Sequence, residues 1–290
     1  MLWGAFLGGL VIALGGLGRP EVAAQSVTPT DLSARAAAIA RLATPAPMVT
    51  IPAGWFLMGS LRKEGDLFGL AVPYDDTESP QRRIWLDAYA IDRDEVSLGN
   101  YLRWLLLNHR GFSPELARQL AATGMLPDHT LTAWPAFLVS WFEATDYCRS
   151  AGKRLPTEAE WEKAARGTEG QLFPWGMAAP DLRRAVFAQD VSGVIPPVAP
   201  VDSFAEGRSP YGLAHMAGNV AEWVQDWNGI DYYVSMPDRN PPGPASGRYK
   251  VVRGGSWRSN QAILRTATRS GAPPDQRAQT IGFRCAKSAT

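Results

Sequence analysis

The sequence predicts an α+β fold rich in loops, and three observations carry that expectation. Turn-forming residues are abundant, with 28 Gly and 23 Pro among 290 residues, beside 11 Trp; this composition suits many turns held by large aromatic anchors. Two helices announce their starts with reciprocal capping boxes, Ser140-Trp-Phe-Glu143 and Thr157-Glu-Ala-Glu160, in which a hydroxyl sits at the N-cap and a carboxylate at N3. The strand-like runs are short and scattered: 48–60, 83–91, 249–253 and 281–285 are each bounded by turn residues.

In chain order, residues 31–43 (DLSARAAAIARLA) read as a short helix with Thr30 or Asp31 as N-cap, and Pro45 and Pro47 follow. Residues 25–45 are thus expected to be a spacer, and residues 1–24 a leader. The globular body starts at 48–60 (MVTIPAGWFLMGS), where Pro52 and Gly54 separate two strands. After a polar stretch at 61–82, the alternation in RIWLDAYAI (83–91) fits a half-buried strand. The first capped helix presents Ala144, Tyr147 and Ala151 on one face, carries Cys148 and closes at Gly152. The second follows Pro156 and runs through WEKAAR to Gly167. Beyond residue 168, Gly, Pro and Asp recur every few residues around the last two short strands.

At 46% hydrophobic, 20% charged and net charge +1, the chain has the balance of a globular protein of one or two domains. With no run of Lys or Arg, nothing in it calls for nucleic acid or an anionic membrane as partner. Residues 2–17 (LWGAFLGGLVIALGGL) are uncharged and apolar, and Val22-Ala-Ala24 follows as a small-residue cleavage pattern. Two readings stay open: a cleaved secretory signal, or an uncleaved tether somewhat short for a full span. Both place the body outside the cytoplasm, periplasmic or secreted. There the two cysteines, Cys148 and Cys285, can persist as a disulfide, their only intramolecular pairing. Neither lies in a Cys-x-x-Cys motif, and His109, His129 and His215 are far apart, so no zinc or redox motif is visible.

Six segments, in order, resemble the formylglycine-generating enzyme or sulfatase-modifying factor family. They are MVTIPAGWFLMGS, DRDEVSLGNY, YCRSAGKRLPTEAEWEKAARG, SPYGLAHMAGNVAEW, NPPGPASGRYKVVRGGSW and IGFRC. The resemblance runs from about residue 46 to 288. It implies a single domain with a variant C-type-lectin-like topology, and a disulfide between Cys148 and Cys285, closing a loop worth on the order of 4 kcal/mol in the chain-entropy model. The family's activity is copper-dependent oxidation of a sulfatase cysteine, carried out with two thiols shortly after Gly-Gly-Ser-aromatic. Here that segment is Gly254-Gly255-Ser256-Trp257, and the thiol positions hold Ser259 and Leu264. Cu(I) is a soft ion that needs thiolates, so no copper is expected and formylglycine generation is not. Iron-dependent relatives with a three-histidine site are set aside, because the histidines here are not clustered.

The resemblance also implies one calcium at most, on Ala217, Gly218, Val220 and Glu222 of the segment AGNVAE, oxygen ligands suiting a hard ion. The competing reading is that Glu222 forms a hydrogen bond or salt bridge that fixes the loop. A second family calcium site has Ala185 and Gly193 where oxygens are needed. Trp223, Trp227, Tyr232, Tyr233, Trp257 and Arg269 are candidates for a peptide-receiving groove, or else buried anchors. Arg253, Arg265, Arg269 and Arg284 could meet a partner's carboxylate, or pair within the chain. The charged stretch 154–161 is expected to be structural, since capping accounts for Thr157 and Glu160. The expected function is a non-catalytic accessory or binding subunit that holds another exported or membrane protein. The alternative is an oxidoreductase of the same fold with relocated chemistry.

Overall fold

A computed structural model describes residues 28–61, 76–124, 126–189 and 195–289. The apolar run 2–17, the rest of the 1–24 leader and Gly193 lie outside the described residues. The first element, α1 (Pro29–Arg41), starts two residues earlier than expected. Its N-cap is Thr28, with Pro29 at the first helical position and Asp31 completing a capping box. Nor is it a spacer. Ala36, Ile39 and Ala40 are buried in the main core, and Arg103 donates to the Ala40 and Ala43 carbonyls at 3.1 and 2.8 Å, covering acceptors that a helix end leaves unpaired. The small side chains of Ala36 and Ala40 allow this close docking, which sequence alone reads as mere helix propensity.

Strands β1 (Met48–Ile51), β2 (Gly54–Met58), β3 (Arg82–Leu86) and β4 (Tyr89–Asp92) follow. The 83–91 run is therefore two strands, broken at Asp87 and Ala88. Three helices then build the main core: α2 (Leu98–Leu107), α3 (Pro114–Ala122) and α4 (Asp128–Ala133). Ser97 and Ser113 cap the first two, each accepting from a backbone N–H three residues on. The helices α5 (Trp141–Ser150) and α6 (Glu158–Arg166) have the capping boxes read from the sequence. Ala151, expected on the buried face of α5, is instead its exposed C-cap.

The rest is loop, threaded by β5 (Ala221–Trp227), α7 (Tyr232–Ser235), β6 (Lys250–Arg253), β7 (Arg269–Ala272), β8 (Ile281–Phe283) and β9 (Ala286–Ser288). Three sheets form, in the orders β1-β4-β9, β2-β3 and β7-β6-β5-β8. β4 is clasped between the first and last strands, β1 and β9, so the two ends of the domain close on each other. The 281–285 run ends as a strand at Phe283; Arg284 and Cys285 lie between β8 and β9. Cys285 is bonded to Cys148 of α5 with their Cα atoms 5.6 Å apart. Both are fully buried among Tyr101, Tyr147 and Phe283. Among the described residues, no helix is long and apolar enough to cross a membrane.

Candidate functional site

The segment 217–222 leads into β5 through two left-handed residues, Gly218 at φ +78° and Asn219 at φ +59°. A Cβ at Gly218 would stand 2.4 Å from the Val186 carbonyl, so only glycine fits there. Asn219 is fully buried and ties the turn in place: its Nδ2 donates to Glu95 at 2.7 Å, and its Oδ1 accepts from the Ala199 N–H at 2.9 Å. Next along, Glu222 is fully buried and accepts from Arg284 Nη2 at 2.6 Å, Arg284 Nε at 2.7 Å and Trp161 Nε1 at 2.8 Å. The Arg284 guanidinium thus supplies a positive charge to both Glu222 oxygens. Ala217 packs in an apolar cluster with Ala185 and Leu264. The salt bridge expected as the competing reading of Glu222 is present.

Glu95, a buried partner the sequence reading passed over, has its carboxyl pushed well up by burial and by the neighbouring Glu222 charge. Arg284 bonds to Glu222 and acts on Glu95 through its charge alone. The acidic run Asp92-Arg-Asp-Glu95 was a signal for this, since a polar stretch directly after a buried strand must find partners inside.

Of the two positions compared with the family's copper thiols, Ser259 lines a cleft of about 230 Å³ over the four-stranded sheet, to which β5, β6, β7 and β8 each contribute lining residues. Its polar wall is made of Ser256, Ser259, Thr268, Ser270, Gln276 and Thr280. The loop that brings Ser259 there turns through Gly254 and Gly255, at φ +88° and +68°. Ser259 Oγ accepts from the Ser256 N–H at 3.0 Å. Leu264 is fully buried against Leu172, Phe173 and Phe187 and points no donor atom anywhere. One hydroxyl already serving the backbone and one isobutyl group do not fit a soft copper ion.

Residues 34–289 match the family model described as a sulfatase-modifying factor enzyme 1-like domain. The chain belongs to that family. It is 32% identical over 294 residues to the mouse protein named formylglycine-generating enzyme, an alignment covering 82% of this chain and 74% of the relative. It is 30% identical over 291 residues to the mouse protein named inactive C-alpha-formylglycine-generating enzyme 2, covering 83% and 86%. A protein of Chlamydia pneumoniae named serine/threonine-protein kinase pkn1 is 34% identical over 255 residues, which are 83% of this chain but 38% of that one. The chain therefore spans well under half of the kinase-named relative's length. Among solved structures, PvdO from Pseudomonas aeruginosa superposes with a TM-score of 0.64 at 24% identity, covering 83% of this chain and 94% of that one. CarF does so at 0.58 and 18%, covering 85% and 99%. These share the C-type-lectin-like fold with the present chain.

In this sulfatase-modifying factor-like domain the expected aromatic groove does not form. Trp223, Tyr233, Trp257 and Arg269 are buried, and Trp223 Nε1 donates to the Val139 carbonyl at 2.9 Å. Trp257 Nε1 donates to the Gln279 carbonyl, and the Tyr233 hydroxyl to Glu162. Trp227 stacks on Lys250, whose Nζ lies 3.9 Å from the ring centres of both Trp227 and Trp141. Tyr232 accepts from the Gly243 N–H at 2.9 Å. These rings are anchors because a chain with few long elements must immobilise its loops with large side chains.

The four arginines are likewise internal, each paired with a glutamate distant in sequence. Arg253 meets Glu158 and Glu162, Arg269 meets Glu158, Arg265 meets Glu78 and Arg284 meets Glu222. The 154–161 stretch is structural, as expected: Glu160 takes both Arg154 nitrogens at 2.6 Å while capping α6. His215 is buried, its Nε2 bonded to the Pro200 carbonyl at 3.0 Å, and burial pushes it down to about 4; it is a neutral packing residue.

Among the described residues, Asp226 forms no such ion pair. It accepts from the Glu158 N–H at 2.8 Å at the start of α6, and burial beside the Glu158 charge pushes it up to about 7. An acid with a raised folded-state pKa holds its proton between the unfolded value and the folded one. Stability therefore falls as pH rises through that window, from about 4 to 7. Asp226→Asn keeps the acceptor and removes the charge. It is expected to stabilise the domain by roughly 1–3 kcal/mol at pH 8, an advantage that shrinks by pH 5, as urea unfolding at the two pH values would show.

Proposed function

We propose that this chain is an exported, non-catalytic member of the sulfatase-modifying factor family that acts as an accessory subunit holding another protein. The observation that carries the reading is the replacement of both copper thiols by Ser259 and Leu264 within a scaffold whose capping boxes, disulfide and buried ion pairs are intact. A cleft walled by hydroxyls has no group with an accessible anionic or redox state near neutral pH, yet it can hold a side chain of a bound peptide through neutral hydrogen bonds. The existence of a relative named as inactive supports the same direction. Export rests on the apolar run 2–17 and on a cysteine pair that an oxidising compartment keeps joined.

Two measurements test this. Protein purified from its native envelope, or reconstituted with Cu(I), is expected to hold no stoichiometric copper or iron and to leave a sulfatase-motif cysteine peptide unoxidised; stoichiometric metal with turnover would overturn the reading. Under mild extraction with crosslinking, the chain is expected to migrate in a complex larger than itself. Recovery as a monomer alone would count against the subunit role.

A further inference from the structure

Away from the cleft, the β2–β3 pair carries three side chains of a ladder that Arg239, from the segment after α7, completes. Trp55 and Trp85 are direct cross-strand partners, with ring centres 5.6 Å apart and planes at 75°. The Arg83 guanidinium lies 5.0 Å from the Trp55 ring centre and Arg239 lies 4.6 Å from that of Trp85. The order is Arg83, Trp55, Trp85, Arg239, and both arginines are exposed.

The frame beneath is rigid. Arg239 is held by a bridge to Trp85, and its neighbours clamp the edge of β3 through Trp85 N–H to the Asp238 carbonyl and Asn240 N–H to the Trp85 carbonyl. Trp85 Nε1 donates to Asp87, whose other oxygen accepts from Asn240. Those hydrogen bonds, with a smaller contribution from the Arg239 charge, hold the Asp87 carboxyl below the usual range; its oxygens are hydrogen-bonded to neutral donors and leave the Arg239 guanidinium without a direct ion pair. The nearby Arg82 is neutralised by Asp238.

Arg83 and Arg239 differ from the arginines of the interior. Among the described residues, neither forms an ion pair. A guanidinium stacked on indole keeps its in-plane N–H groups turned outward, already oriented for a carboxylate. The edge-to-face rings, each with an arginine against it, offer no flat pair of faces for a sugar. Two free guanidiniums beside the Asp87 charge are too few to hold a nucleic acid backbone.

We infer that this face docks an acidic, extended segment of a protein partner, whose carboxylates meet Arg83 and Arg239 across the two indoles. The ladder distances limit the arginines to about 15 Å apart, which an extended segment of about four residues spans at ~3.3 Å per residue. The surface is separate from the hydroxyl-walled cleft, so it stands or falls apart from the accessory-subunit reading.

The test uses the full chain and a fluorescein-labelled eight-residue peptide of alternating Glu and Ser, followed by polarisation in 50 mM and 300 mM salt. Saturable binding that weakens with salt is expected, reduced at least tenfold in Arg83→Gln/Arg239→Gln. It should be unchanged in Arg183→Gln, an exposed arginine elsewhere. Circular dichroism and thermal melts confirm that the exposed double variant folds. No saturable binding up to about 1 mM, or equal binding by the double variant, would overturn the inference. So would binding to vesicles of anionic phospholipid in place of the peptide.

Discussion

Arg284→Met is expected to lower the unfolding free energy by about 3–5 kcal/mol, the cost of leaving a buried charge without its counterion. Arg284 and Glu222 are both fully buried and doubly bonded. Arg284 also donates to the carbonyls of Asp92, Arg93 and Ala214, so one side chain joins the end of β4, the loop before residues 217–222 and β5. Removing it strands Glu222 next to Glu95, whose own carboxyl already resists ionisation through burial and through Glu222. Urea unfolding by circular dichroism checks the value. Adding Glu222→Gln, which removes the stranded charge and keeps an acceptor for Trp161, is expected to recover more than half of the loss. A single variant within about 1 kcal/mol of the parent would mean that the pair contributes little here, as exposed pairs do.

Removing the disulfide is the second large effect. Cys148 and Cys285 are 137 residues apart, and closing a loop of that length restricts the unfolded chain by up to ~5 kcal/mol in the chain-entropy model, with measured losses of about 2–5 kcal/mol typical. The paired variant Cys148→Ala/Cys285→Ala is expected to unfold at lower urea and to show a larger dependence on denaturant, because its unfolded state is less compact. Adding a reductant should shift the parent toward the variant and leave the variant where it is. A parent insensitive to reductant in its unfolded state would show that no bridge forms. Alkylation before and after reduction, followed by mass measurement, gives the same answer independently.

Short-range features were legible in the sequence. Both capping boxes formed as read, because a hydroxyl and a carboxylate three residues apart satisfy backbone donors locally, whatever surrounds them. The strands at 48–60 and 249–253 also formed near the expected places. The first helix kept its type and lost its assigned role. Its small apolar face, Ala36 and Ala40, could be recognised as core only once α2 lay against it. The helices α2, α3 and α4 were missed, although Ser97 and Ser113 carried the N-cap signal, because neither is followed by a carboxylate at N3 that would mark a reciprocal box.

The chemistry divides along the same line. By itself the sequence determined that position 264 offers no metal ligand, since a leucine has no ligand atom in any fold. It equally determined that the two cysteines have one internal pairing. Only the tertiary structure decided what Glu222, the four arginines and the aromatic residues do. Each is a long or amphipathic side chain whose role depends on which partner, tens to hundreds of residues away, stands within about 3 Å. That decision turned a supposed groove into anchors and a supposed surface cluster into buried ion pairs. It left Arg83 and Arg239, unremarked in the sequence, facing solvent from opposite ends of a tryptophan pair that strand register alone brings together.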